Sequence, residues 1–244
     1  MAASRSGRAS AEAPAARSRR GRGRASQSSA ATSLREEVRN LKKEKIVEAA
    51  ARLFFEHGYH GSSIESICSE LGVTKPFVYY HFLKKDDILK EIYMSALRAA
   101  LETFPLADQG VTGATCATRL EEFVRAYVAL ATSEMRMRIA LITREQNLLP
   151  DDMMKDVRHM KRKIYDALVS LIAAGADTGE FRVNDPGLTA QSIFGLMNWT
   201  VTWFRPGGRI SRDRLADEHV EACLRLVGWQ DVPASPGRGR KTPR

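Results

Sequence analysis

Apolar residues recur at intervals of three and four along most of the chain, while the alternation typical of strands is scarce. This spacing places apolar side chains on one face of a helix, so the sequence predicts an all-α protein. Two short helices are expected within residues 62–85. Further helices are expected at approximately residues 35–57, 84–104, 114–132, 136–147, 151–179, 186–205 and 211–228.

The segment 62–85 has the pattern of two short helices joined by a tight turn. Ser62 is predicted to cap the first helix together with Glu65, and Gly72 ends that helix. The second helix begins after Thr74, a suitable N-cap, with a proline in its first turn. This pattern predicts a helix-turn-helix unit, in which the second helix enters the major groove of DNA.

The second helix carries side chains that donate hydrogen bonds to phosphates or base edges, namely Lys75, Tyr79, Tyr80 and His81. Just beyond it, Lys84 and Lys85 stand at the start of the next helix, where cations oppose the helix dipole. Two interpretations remain open. In one, Lys85 and the helix N-terminus bind a DNA phosphate. In the other, the lysines are exposed and neutralised by Asp86 and Asp87.

The formal charge of +9 is concentrated at the two ends of the 244-residue chain. Residues 1–33 contribute +6 and residues 233–244 contribute +4, so residues 34–232 are close to neutral. Both ends have compositions typical of disorder. The N-terminal arginines fit a minor-groove hook, an organelle transit peptide or a solubilising tail with nonspecific phosphate attraction. Specific DNA binding must then come from a local cluster of donors.

Other classes of protein find little support in the sequence. No apolar run approaches the roughly 18 residues that cross a bilayer, so we expect a cytoplasmic, nucleoid-associated protein with no membrane partner. The three cysteines form no metal-binding or disulfide motif, and no metal or cofactor is expected. The five histidines have no nucleophile at a catalytic spacing, which argues against an enzyme. A DNA-coating protein that acts through its arginine-rich ends is the alternative function.

The last two predicted helices are apolar over wide faces. Faces of that width usually pack against a second subunit, and two antiparallel helix pairs make a four-helix bundle. The sequence therefore predicts a homodimer. Two recognition helices about 34 to 36 Å apart would bind a palindromic site in double-stranded DNA.

Residues 45–89 resemble the DNA-binding domain of the TetR family of transcriptional regulators. The resemblance rests on the runs 54–59 (FFEHGY), 71–74 (LGVT), 78–82 (VYYHF) and 84–89 (KKDDIL). It implies a repressor or, less often, an activator, controlled by a small-molecule effector. Together with the composition of the two ends, it predicts a disordered arginine-rich tail at residues 1–33, a helix-turn-helix domain at 34–90, a ligand-binding and dimerisation domain at 91–232 and a disordered basic tail at 233–244.

The resemblance also implies roles for individual residues at the DNA. The implied phosphate contacts are Ser63, Thr74, Tyr79, His81 and Lys85, and Ser62 is a further candidate DNA-binding residue. The residues implied to face base edges are Lys75, Pro76, Phe77 and Tyr80. Two positions depart from the family pattern: Cys68 replaces a small alanine, and Lys84 replaces a polar cap.

The runs 197–200 (MNWT) and 203–208 (WFRPGG) resemble a TetR subgroup that responds to acyl-CoA thioesters of fatty acid, sterol or aromatic acid breakdown. This resemblance implies an apolar channel for the acyl group lined by Met135, Ile139, Ile164, Leu168, Trp199 and Trp203. It places Arg144, Arg162 or Arg205 near the phosphates. Packing of Trp199 and Trp203 in a dimer interface remains the alternative, because residues four apart share a helix face.

Overall fold

In the computed structural model, residues 20–103, 114–144 and 148–229 are described, with side chains from residue 33 onwards. These residues form nine helices and no strand, which confirms the all-α prediction. The helices are α1 (Arg20–His57), α2 (Ile64–Leu71), α3 (Lys75–His81), α4 (Lys85–Thr103), α5 (Cys116–Ala131), α6 (Arg136–Arg144), α7 (Asp151–Thr178), α8 (Pro186–Trp203) and α9 (Arg212–Leu226).

The first helix begins well before its predicted start. Residues 20–33 were expected to belong to a disordered tail, but they are helical and continuous with the rest of α1. Adding residues to an existing helix avoids the cost of nucleation, so a segment with three alanines and three arginines can extend it despite two glycines and four serines. Residues 1–19 and 233–244, the remainder of the predicted tails, lie outside the described residues.

The chain divides into two compact units, residues 1–44 and residues 45–244. In the first unit, the side chains of α1 from Ser33 to Lys42 are exposed, and Ser33 donates a hydrogen bond to the Glu37 carboxylate. The second unit contains the rest of α1 and all the other helices. The predicted domain boundary at residue 90 falls inside α4, which runs without a break from the helix-turn-helix segment into the larger helical region.

The turn between α2 and α3 follows the predicted pattern. Gly72 adopts a left-handed conformation, with φ of 63°, and its N–H donates to the carbonyls of Cys68 and Ser69. A side chain at this conformation would be strained, which explains the glycine. Thr74 takes the N-cap position of α3, although its side chain makes no capping hydrogen bond.

The cap of α2 lies one residue later than predicted. Ser63 accepts a hydrogen bond from the backbone N–H of Ser66, and the Ser66 hydroxyl accepts one from the N–H of Ser63. The capping box is therefore Ser63 with Ser66, not Ser62 with Glu65. Ser62 is buried instead, and its hydroxyl lies 2.9 Å from the carbonyl oxygen of Gly58, to which it donates.

The core of the second unit joins the helix-turn-helix segment to the larger helices. Apolar side chains of α1, α2 and α4 are fully buried together, among them Phe54, Ile67 and Ile88. In the larger region, α7 packs against α4 and α8, and α5 packs extensively against α9. One apolar face of α9 is buried against α5 and its outer face is charged, so the prediction of a wide free apolar face on α9 was wrong.

Candidate DNA-binding surface and effector cavity

The recognition helix α3 has one face in the core and the other in solvent. Val78 is fully buried, and Phe82 just beyond the helix is buried as well. On the opposite side, Tyr79 and Tyr80 are exposed to 47% and 76%. Lys75 and Pro76 at the start of the helix are exposed too. Large exposed aromatic side chains are uncommon on a surface without a partner, so this face is the candidate DNA-binding surface.

Phe77 and His81 belong only partly to that surface. Both are half-buried, and Phe77 packs against the core. The rings of Phe77 and His81 meet edge to face, with 5.4 Å between their centroids. Phe77 was implied to face base edges, but only part of its side chain is at the surface and the rest packs against the core.

Lys75 is held by an acidic residue of the neighbouring helix. Its ammonium group donates a hydrogen bond to the Glu65 carboxylate, which joins the start of α3 to α2. This hydrogen bond lowers the pKa of Glu65 to about 2 and raises the pKa of Lys75. Both side chains are exposed, so a phosphate or a base edge can compete for Lys75.

Lys85 lies at the opposite end of the segment and makes contacts that the sequence did not predict. Its Nζ donates to the carbonyl oxygens of Tyr59 and Ser62, at 2.9 and 2.8 Å, and lies 4.1 Å from the centroid of the Tyr59 ring. The Tyr59 hydroxyl donates to Asp86. Burial and this hydrogen bond raise the pKa of Tyr59. Lys85 thus fixes the loop between α1 and α2 to the start of α4, which leaves one of its three donors for a phosphate.

The two lysines at this position therefore differ. Lys84 is exposed and its Nζ lies 3.5 Å from the Asp86 carboxylate, as expected for a neutralised surface lysine. The backbone N–H of Lys84 donates to the Asp87 side chain at 3.0 Å, which caps the start of α4. Lys85 is instead half-buried, with its ammonium engaged by the backbone.

A cavity of about 610 Å³ lies among α4, α5, α6, α7 and α8. This volume is in the range of small-molecule binding sites. Its apolar wall consists of Ala96, Leu97, Ala100, Leu130, Ile139, Ile142, Ile164 and Phe194. Its polar and charged wall consists of Tyr127, Thr143, Arg158, Lys161, Arg162, Tyr165, Gln191 and Asn198.

Three cations of α7 lie on one side of the cavity. Arg158 and Arg162 pair with Asp151 and Asp166 of the same helix, at 3.1 and 2.9 Å. Lys161 between them is half-buried, and burial lowers its pKa. Among the described residues, no carboxylate pairs with Lys161, in contrast to Arg158 and Arg162.

The cavity wall includes three of the nine residues predicted for the effector, namely Ile139, Arg162 and Ile164. The other six lie elsewhere. Leu168 is in the core, Met135 packs against the core, and Arg205 is exposed. The guanidinium of Arg144 lies 5.6 Å from the centroid of the Phe55 ring.

The two tryptophans are among those six and do not line the cavity. Trp199 is 66% exposed. Trp203 lines a second cavity of about 300 Å³ beside α9. These positions favour the alternative of interface packing over the acyl channel.

Tyr127, Arg158, Lys161 and Asn198 line the cavity but were not predicted from the sequence. Only Asn198 carries a local signal, because it is the single amide in the strongly apolar second half of α8. That signal does not say which way a side chain faces. Only the packing of five helices decides that.

Helix α6 contacts both functional regions. Ile139, Ile142 and Thr143 of α6 line the cavity. At its ends, the guanidinium groups of Arg136 and Arg144 each lie 5.6 Å from the centroid of the Phe55 ring on α1. The Nε and one Nη of Arg136 are buried without a hydrogen-bond partner among the described residues, and burial lowers the pKa of Arg136.

In the described part of the chain, no helix is both long enough and apolar enough to cross a bilayer. The His, Cys, Asp and Glu side chains of the same described part do not gather in a group that could hold a metal ion.

A helix-turn-helix unit joined to a larger helical region that contains a cavity is the architecture of a DNA-binding regulator. The chain belongs to the TetR family. Residues 46–92 match the model of bacterial regulatory proteins of the tetR family, and residues 113–227 match the model of the tetracyclin repressor-like C-terminal domain. The family is one of transcriptional regulators.

Similar proteins of known role are regulators of this type. The chain is 25% identical over 164 residues to the fatty acid metabolism regulator protein of Bacillus subtilis (strain 168), covering 66% of this chain and 82% of that protein. It is 22% identical over 186 residues to the HTH-type transcriptional repressor KstR2 of Rhodococcus jostii (strain RHA1), covering 75% and 89%.

Solved structures agree with this assignment. The crystal structure of AibR in complex with isovaleryl coenzyme A and operator DNA is 26% identical in sequence, with a TM-score of 0.67 over 74% of this chain and 97% of AibR. The structure of the ketosteroid transcriptional regulator KstR2 of Mycobacterium tuberculosis, at 19% identity and a TM-score of 0.68, shares the fold.

Proposed function

We propose that the protein is a transcriptional repressor that binds a palindromic operator as a homodimer and is released from it by an acyl-CoA thioester. The observation that carries the proposal is the cavity, which combines an apolar wall with three cations on α7. An acyl-CoA has the same division, because an apolar acyl chain is joined to a phosphorylated nucleotide.

At the DNA, the exposed face of α3 supplies the specific contacts. Tyr79 and Tyr80 stand in solvent beside Lys75 and Pro76, within reach of a major groove. Further donors around this face are Ser63, Thr74, His81 and the remaining N–H of Lys85. Because residues 34–232 are close to neutral, this cluster and not the overall charge determines specific binding.

The homodimer is supported by an exposed apolar stripe on α8. Leu188 and Trp199 are exposed to 68% and 66%, and Trp203 follows on the same side. Gly195 lies between them, and a Cβ atom there would meet nothing within 4 Å. Three turns separate Leu188 from Trp199, so the stripe runs along one face of the helix. A second copy of α8 would cover it.

The effector assignment is supported by the shape and charge of the cavity and by the relatives. Apolar residues from α4, α5 and α6 would take the acyl chain, and Arg158, Lys161 and Arg162 would face the phosphates. Of the similar proteins, one regulates fatty acid metabolism, and AibR binds isovaleryl coenzyme A.

A release assay tests this function. The operator is first identified by selection from random DNA, and the purified protein is then bound to it in a mobility-shift assay. Isovaleryl-, octanoyl-, palmitoyl-, benzoyl- and sterol-acid-derived CoA are added, with free CoA and the free acids as controls. At least one thioester class should release the DNA while its free acid does not. Retention of the complex with every thioester would contradict the effector assignment.

Lys161→Ala provides a second test of the same site. Loss of the Lys161 cation should raise the thioester concentration needed for release several-fold, because a charge-assisted hydrogen bond to phosphate is lost. Lys163→Ala is the matched control, since Lys163 is exposed on the same helix and does not line the cavity. Equal effects of the two substitutions would argue against a phosphate site on α7.

A further inference from the structure

Tyr127 of α5 and Asn198 of α8 form a polar pair on the cavity wall. The Tyr127 hydroxyl donates to Oδ1 of Asn198 at 2.5 Å. Tyr127 is buried, and burial raises the pKa of its hydroxyl, so the group remains protonated and able to donate. The wall on either side is apolar, with Leu130 and Phe194 one turn away on the same two helices.

This hydrogen bond fixes the orientation of the Asn198 amide. Because Oδ1 accepts from Tyr127, the amide nitrogen lies on the other side of the group, with two N–H donors. Among the described residues, no atom accepts a hydrogen bond from that nitrogen. The side chain is half-buried and lines the cavity, so a molecule in the cavity can reach these donors.

Two hydroxyl groups of the wall already donate to backbone carbonyls. The Tyr165 hydroxyl donates to the carbonyl of Gly187 at 3.1 Å, and the Thr143 hydroxyl donates to the carbonyl of Ile139 at 3.1 Å. Asn198 is therefore a neutral donor held open by its neighbour. Such a donor is costly beside apolar atoms unless a ligand supplies the acceptor.

We infer that the amide nitrogen of Asn198 binds the carbonyl oxygen of the effector, and that Tyr127 positions the amide for this contact. The inference rests on the proposed function, since it concerns the same cavity and the same class of ligand. A thioester has one carbonyl oxygen at the junction between its acyl chain and the CoA part. Recognition of that oxygen would distinguish an acyl-CoA from other amphiphiles of the same length and charge.

The test compares thioesters with thioethers. Isovaleryl-, octanoyl- and palmitoyl-CoA are each paired with the S-alkyl-CoA of equal chain length, which lacks only the carbonyl oxygen. Affinities are measured by calorimetry on the full-length protein. The wild type should bind the thioester about three- to tenfold more tightly than its thioether, the range expected for one hydrogen bond. In Asn198→Leu, the two affinities should become equal.

Gln191→Leu is the matched control, because it removes another amide from the cavity wall on the same helix. It should leave the preference for the thioester unchanged. Tyr127→Phe should reduce the preference without abolishing it, because Asn198 remains but its orientation is no longer fixed. Operator binding without effector establishes that each variant is folded.

The outcomes separate the inference from the proposed function. If thioesters bind but the wild type does not discriminate against thioethers, or if Asn198→Leu keeps the wild-type ratio, the role of Asn198 is wrong and the effector class stands. If no thioester of the panel binds the wild type, the effector class itself is wrong and the inference falls with it.

Discussion

The candidate DNA-binding surface and the cavity differ in how some of their polar side chains are bonded. Around α3, cations are held by the protein itself: Lys75 by Glu65, and Lys85 by the carbonyls of Tyr59 and Ser62. On the cavity wall, Lys161 has no described carboxylate partner and the amide nitrogen of Asn198 has no described acceptor.

The difference indicates how each region reaches its partner. Side chains that are already bonded keep a fixed geometry, so the DNA-binding surface is preorganised and loses little entropy on binding. Polar groups of the cavity without a partner form hydrogen bonds only when a ligand binds. These contacts can therefore contribute to the difference in ligand affinity between two conformations of the protein.

Trp199→Glu should disrupt the dimer. If the exposed stripe of α8 is an interface, a buried carboxylate there should weaken association by roughly a hundredfold or more. Sedimentation velocity would show monomers at concentrations where the wild type is dimeric, and operator affinity would fall with them. Leu41→Glu is the control, because Leu41 is an exposed apolar residue of α1 that lies on neither α8 nor the candidate DNA-binding surface. If Trp199→Glu left the dimer unchanged, Trp199 would not be part of the dimer interface.

Lys85→Ala should lower stability as well as DNA affinity. Two backbone carbonyls lose their donor, which should reduce the free energy of unfolding by about 1 to 3 kcal/mol. Thermal unfolding and a mobility-shift assay measure the two effects. Lys84→Ala should change stability little, since Lys84 is exposed. If Lys85→Ala reduced only the salt dependence of binding, by about 0.9 per lost phosphate contact, Lys85 would be a DNA contact and not a structural anchor.

Phe55→Leu should weaken communication between the two regions. The ring contacts Arg136 and Arg144 of α6, and contacts of this kind contribute about 0.5 to 2 kcal/mol. Operator affinity without effector should remain within about twofold of the wild type, while the thioester concentration needed for release should rise several-fold. Normal release by the effector would show that α6 acts on the DNA-binding region by another route.

Glu65→Gln should have the smallest effect. Without the carboxylate, Lys75 is free to approach DNA, so affinity for all sequences should rise by no more than about fivefold. The salt dependence of binding, measured by titration at several ionic strengths, should become steeper. Glu70→Gln is matched to it, because it removes one negative charge from the same helix but leaves Lys75 paired; Glu70 pairs with Arg52 at 3.3 Å. Identical effects would mean that net charge alone matters.

The same contrast explains how much the sequence could predict. The helix-turn-helix segment depends on local signals, so its helices, its turn at Gly72 and its family were recognised from adjacent residues. The error in the α2 cap came from three nearby serines, Ser62, Ser63 and Ser66, which fit a capping box in more than one register. The anchoring role of Lys85 was missed because its partners lie 23 and 26 residues away.

The cavity residues depend on packing, so the sequence predicted them less well. Neighbouring positions on a helix differ in direction by about 100°, and five helices contribute to the wall. Periodicity identified the apolar side of α7 and found Ile164, but it did not distinguish the cavity from the solid core that contains Leu168. Trp199 was misplaced for a related reason, since a large aromatic side chain suits a pocket or an interface equally well.

Helix α4 links the helix-turn-helix loop to the cavity wall without a break. Lys85 at its first residue is fixed to the helix-turn-helix loop, and Leu97 lies on the cavity wall twelve residues later, about 18 Å along the axis. The helix can therefore work as a lever. A tilt of about 10° at the cavity end would carry the other end through about 3 Å. In a dimer, two such displacements in opposite directions would add, and the spacing of the recognition helices would no longer match one turn of DNA.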